Sequence, residues 1–147
     1  MGLFDKAFGK DSGAVVLNKS EGFAAIAVAA VASDGDISSE EINRVVIDLV
    51  TLKPFRRHDM RDLGNTLNKV AGLIKKRGTG PVLQAAKGAL NKDETTAAFW
   101  IATDLVLADG VVEDEEKKFL EELQKVLSID DDTALKIAEV ATMKNKA

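Results

Sequence analysis

The sequence predicts an all-α fold of about seven helices, with two pseudo-symmetric helical hairpins packed together. Three observations carry this. Alanine is abundant, aromatics make up only 5% of the 147 residues, tyrosine is absent and prolines number two; closely packed helices suit that composition better than sheets, which favour β-branched and aromatic residues. Apolar residues recur at helical spacing between glycines, prolines and Ser/Asp capping signals. No segment reads as a strand. At this length the chain is expected to form one domain, 1–147, with residues 1–19 as an N-terminal flap and similar halves at about 20–52 and 93–127.

Helix one is expected at about Ser20–Ser33, with Ser20 as N-cap; its run from Phe23 to Ala32 has no polar side chain. Helix two covers about Ser39–Leu52, opened by the Ser38-x-x-Glu41 capping-box spacing and stopped before Pro54. Helix three spans about Asp59–Lys76, with Leu63, Leu67, Val70 and Ile74 as its apolar stripe. Gly78 and Gly80 break the chain, and Pro81 suits the first position of helix four, which reaches about Leu90. Asp93 is placed as the cap of helix five, to about Ala108. Helix six covers about Asp114–Leu127, and Asp130 or Asp131 caps helix seven, to about Met143.

Composition also narrows the chemistry. Cysteine is absent, which removes disulfides, thiolate metal sites and thiol redox steps. His58 is the only histidine. A Ser-His-Asp triad would depend on it, and in the polar stretch KPFRRHDM it reads as an exposed side chain. The start, MGLFDKAFGK, does not read as a signal peptide, and Lys6 stands where a myristoylation pattern wants Ser or Thr. Leu3, Phe4, Ala7 and Phe8 form a small apolar face expected to pack on the domain, with weak membrane-surface contact as the alternative. The Phe23–Ala32 run is too short to span a bilayer.

Charge is segregated along the chain. Residues 1–52 carry four Lys/Arg against eight Asp/Glu, residues 53–92 ten against two, and residues 93–147 six against fourteen. Intramolecular pairing is the simplest use of the basic middle third. The alternative is docking to the acidic face of a partner or of a second copy, giving a homodimer, through residues such as Arg56, Arg57 and Arg61. The acidic flanks oppose nucleic-acid binding.

The two acidic thirds resemble each other. In SDGDISSEE and ADGVVEDEE an apolar helical run ends in Asp-Gly, Ile or Val follows two residues later, and a Glu opens the next helix. Asp34, Gly35, Ile37 and Glu41 match Asp109, Gly110, Val112 and Glu116 at a constant offset of 75. An EF-hand loop fails in both copies, because its first and third ligand positions fall on Ala30 and Ala32, or on Leu105 and Leu107. Two readings stay open. In one, Gly35 and Gly110 take left-handed turns at helix ends, and Glu41 and its counterpart cap the following helices. In the other, Asp34, Glu41, Asp109 and Glu116 converge on a divalent cation, with Asp36 and Glu113 or Asp114 as secondary donors; oxygen ligands suit Ca²⁺ first, with Mg²⁺ or Mn²⁺ as alternatives.

Paired Asp-Gly-x-Ile/Val-x-x-x-Glu motifs at helical hairpins resemble the TerB-like tellurite resistance proteins, and MGLFDKAFG is similar to that family's short N-terminal segment. The resemblance covers nearly the whole chain. It implies an all-α cytoplasmic protein that binds divalent cations through acidic residues, carried over here onto Asp34, Glu41, Asp109 and Glu116. It also implies a role in tellurite resistance and wider stress responses, exercised with other stress-response or tellurite resistance proteins, some of them at the inner membrane. Val111 departs from the pattern where the first copy has Asp36. Tellurite reduction by the chain itself is not expected, since no thiol and no flavin or nicotinamide motif supplies electrons. The expected function is therefore a non-enzymatic metal-binding stress module; the alternative is a helical interaction scaffold whose acidic turns only cap helices.

Overall fold

The computed structural model describes residues 14–108 and 110–147. Among them are seven α-helices, one short 3-10 turn and no strand. The helices are α1 (Lys19–Val31), α2 (Ser39–Leu49), α3 (Met60–Arg77), α4 (Thr79–Ala89), α5 (Lys92–Leu107), α6 (Asp114–Val126) and α7 (Asp131–Lys146), with the 3-10 turn at Lys53–Phe55 between α2 and α3. Leu3, Phe4, Ala7 and Phe8 lie outside the described residues.

Helix α1 is the axis of the domain. It packs against α2, α3, α4 and α5, and Ala24 through Val28 are wholly buried. A helix surrounded on all sides must be apolar all round. The alanines let neighbouring backbones approach, most closely at Gly22, where an added Cβ would lie 3.3 Å from Ala89 Cβ. Helix α5 is the second axis: it packs on α1, α2, α6 and α7 and buries Phe99, Ile101, Ala102 and Leu105. The outer helices α2, α3 and α6 are amphipathic. In α3 the predicted stripe Leu63, Leu67, Val70 and Ile74 is 0–2% exposed, and each such side chain removed from water contributes about 1.5–3 kcal/mol.

Three helix starts differ from the sequence expectation. Asn18, not Ser20, caps α1: its Oδ1 accepts the Glu21 N–H at 2.8 Å, and Glu21 Oε1 accepts the Asn18 N–H at 2.9 Å. Asn91, not Asp93, caps α5 through the same reciprocal pair with Glu94, at 2.9 Å in both directions. Helix α4 opens at Thr79, which makes Pro81 its third residue rather than its first. Asn and Ser or Asp are near-equal caps, so the reciprocal Glu three residues on decides between neighbours. His58 is half-buried rather than exposed, its ring 5.4 Å edge-on from Phe55.

Candidate functional site

Both Asp-Gly turns are built alike. Gly35 donates its N–H to Ala32 O at 2.9 Å, and Gly110 donates to Leu107 O at 3.0 Å. Both glycines have positive φ, +83° and +76°, a region that costs other residues about 1–2 kcal/mol. Each turn then leads into a helix whose third residue reaches back. Glu41 Oε1 accepts the Ser38 N–H at 2.8 Å, and Glu116 Oε1 accepts the Glu113 N–H at 2.9 Å. Glu116 thus performs its reach-back bond although a glutamate replaces the capping serine at position 113.

The surroundings of the two turns differ. The first is pressed against α3: a Cβ on Gly35 would lie 2.7 Å from Ala71 O and 2.9 Å from Lys75 Cβ, while one on Gly110 would meet nothing within 4 Å among the described residues. Thr79 Oγ1 donates to Ser33 O at 2.9 Å, and Lys75 Nζ reaches Asp36 Oδ1 at 2.7 Å. Asp36 and, at longer range, Asp34 hold the Lys75 ammonium above its ordinary pKa. Asp36 therefore anchors the turn to α3. Its counterpart Val111 is exposed, which is why the two copies diverge at this position.

The primary and secondary site residues fall out as follows. Asp34 is exposed, and its Oδ1 accepts the Asp36 N–H at 2.9 Å. Glu41 and Glu116 are half-buried, and each commits one oxygen to its helix start. Glu113 and Asp114 are exposed at the opening of α6. Asp109 lies outside the described residues. A cleft of about 190 Å³ joins the two hairpins, with Ala29, Val31 and Ser33 on one wall and Glu115, Glu116 and Phe119 on the other. Ser33 directly precedes Asp34, so this cleft sets the turn of the first hairpin beside the start of α6. Among the described residues, no group of three or more acidic or imidazole side chains is placed to hold a metal ion. A cation here would need Asp109, backbone oxygens and water as additional donors.

The basic middle third pairs in part with the first acidic third. Lys69 pairs with the buried Glu21, and Lys75 with Asp36. Burial pushes the Glu21 carboxyl up, but hydrogen bonds from Lys69 and the Asn18 N–H outweigh it and hold the group below its ordinary value. Arg56, Arg57 and Arg61 are exposed.

One polar cluster escaped the sequence reading. Asp104, in the last turn of α5 and flanked by apolar residues, is 4% exposed. It accepts Lys144 Nζ at 2.9 and 2.8 Å and Asn145 Nδ2 at 3.0 Å, both from the last turn of α7. From the other side Asp48 of α2 faces it closely enough for each carboxyl to shift the other's titration, while Asp48 Oδ2 is buried without a partner among the described residues. Burial and the facing Asp104 push Asp48 up to about 7, with Lys144 pulling the other way. Burial would also raise Asp104, but the bonds from Lys144, Asp48 and Asn145 bring it below its ordinary value. The signal was present in FWIATDLVLA: a lone carboxylate inside a run that must be buried requires a partner.

No helix among the described residues is long and apolar enough to cross a membrane. No curated protein and no solved structure matches the chain. A family model does: the one described as tellurite resistance protein TerB matches residues 20–138, from the first turn of α1 into the middle of α7. With both Asp-Gly hairpins inside that span, the chain belongs to the TerB tellurite resistance family.

Proposed function

We propose that this chain is a non-enzymatic module that binds a divalent cation weakly at its two acidic turns and acts with partner proteins in tellurite resistance. The observation that supports this reading best is the cleft that sets Ser33 and the adjoining Asp34 turn beside Glu115 and Glu116. Asp34, Glu41, Asp109 and Glu116 are the proposed ligands. Ca²⁺ suits them best, since it tolerates irregular oxygen sets completed by water. With one oxygen each of Asp34, Glu41 and Glu116 already accepting a backbone N–H, affinity is expected in the roughly micromolar to millimolar range.

A second reading has its own observation. Glu41 and Glu116 make the same reach-back bond at two helix starts, which a scaffold with capped helices would need without any metal. Thermal melts separate the two readings. Chelator-treated wild type should gain stability on adding Ca²⁺ or Mn²⁺, by about 2.7 kcal/mol at a hundredfold excess over the dissociation constant. The Asp34→Asn, Asp109→Asn double variant should lose that gain. Lys75→Met should enlarge it, because the ammonium 2.7 Å from Asp36 competes with any cation at the first turn. No gain in wild type with Mg²⁺, Ca²⁺ or Mn²⁺, or an equal gain in the double variant, leaves the acidic turns as caps.

A further inference from the structure

We propose that Asp48 and Asp104 share one proton at the contact between α2 and α5, and that this proton latches α2 onto the body of the domain. The argument starts from hydrogen-bond chemistry. An ionised carboxylate only accepts, so two carboxyl groups can bond to each other only if one carries a proton. Asp104 is the group that stays ionised: it is buried and receives three donor contacts, two from Lys144 and one from Asn145. Asp48 is then the donor, and its remaining oxygen, Oδ2, is buried without a partner, which a neutral acid tolerates far better than an anion.

Among the described residues, the charged groups facing Asp48 are few. Helix α5 presents Asp104 and helix α7 presents Lys144. Helix α1, the other element packed on α2, has no titratable residue from Gly22 to Val31. Arg44 precedes Asp48 by one turn on the same helix and makes an interaction of its own. One ammonium cannot neutralise two adjacent carboxylates. Release of the proton to solvent therefore leaves a net negative, partly desolvated pair between two helices, and the repulsion is relieved when α2 moves away. The latch does not depend on cation binding.

The direction follows from linkage. The folded-state value of Asp48, about 7, lies above its ordinary 3.8. The stabilising contribution is complete below about 4, falls as pH climbs, and is gone above about 7. Asp104 is shifted the other way, so its contribution is lost only in more acid solution.

The test is amide hydrogen exchange of the full chain between pH 4.5 and 8.5, wild type beside Asp48→Asn. The asparagine keeps the shape and can donate to Asp104 at every pH. In wild type the opening equilibrium of α2 amides, corrected for intrinsic exchange, should rise by up to about tenfold per pH unit, the limit for one proton. It should level off above about pH 7.5. In Asp48→Asn the same amides should show no such rise and be better protected at pH 8. Titration of other groups is common to both chains and cancels in the difference. Equal slopes in the two chains overturn the latch. If the variant does not fold, carbon-13 carboxyl shifts of the wild type decide: one step of the Asp48–Asp104 pair should fall between pH 6 and 8. Completion of both steps below pH 5 refutes the shared proton.

Discussion

Gly35 and Gly110 occupy the same place in the same motif, and their substitutions should nonetheless differ. Alanine at either position adopts the left-handed region at a cost of about 1–2 kcal/mol. At Gly110 that is the whole cost, since nothing among the described residues lies within 4 Å of the new Cβ. At Gly35 the methyl group would lie 2.7 Å from Ala71 O, a backbone atom of α3 that cannot rotate away. Gly35→Ala should therefore be more destabilising than Gly110→Ala by at least about 1 kcal/mol, as read from urea unfolding midpoints. Equal losses would mean that the first turn does not dock on α3. The same α3 neighbour explains why Asp36 is acidic and Val111 is not: only the first turn has a Lys75 to meet.

Among the elements, α1 and α2 form one hairpin under opposite constraints. Helix α1 is enclosed by four helices, and Ala27 is wholly buried. Ala27→Leu should cost about 1–3 kcal/mol through overpacking. On α2 the large side chain Ile47 is 65% exposed, so Ile47→Ala should change stability by no more than about 0.5 kcal/mol. Denaturant unfolding of the two variants checks the contrast; a neutral Ala27→Leu would show that α1 is not the packed axis. Helix α7 reaches the centre through polar contacts, with Lys144 and Asn145 closing over Asp104. Apolar periodicity does not report such a contact, because neither residue belongs to an apolar stripe.

For the whole molecule, the acidic-basic-acidic order of charge stabilises the fold only where a partner is buried. Lys69 pairs with Glu21, which is 8% exposed. Lys69→Glu should cost about 1–3 kcal/mol by leaving a buried carboxylate facing a like charge. Reversing the exposed Arg56, Arg57 and Arg61 to Glu together should move the unfolding midpoint less than that single change, since exposed charges contribute little. A triple variant that unfolds more easily than Lys69→Glu would refute this ranking. If the triple variant stays folded but loses self-association or partner binding, the arginines form a docking face.

The sequence by itself determined the helices, their order and the family. Caps, glycine stops and apolar spacing act within a few residues of one another, and the capping-box spacing at Ser38 and Glu41 is read directly from the chain. Even its misses were local: Ser20 for Asn18 and Asp93 for Asn91 are neighbours competing for one role. Tertiary structure alone decided which copy of the motif leans on α3, that a cleft joins Ser33 to Glu116, and that Asp48 meets Asp104. These are contacts between residues 36 to 83 positions apart. Their energy comes from desolvation and close approach across helices, and neither quantity is encoded in any single stretch of chain.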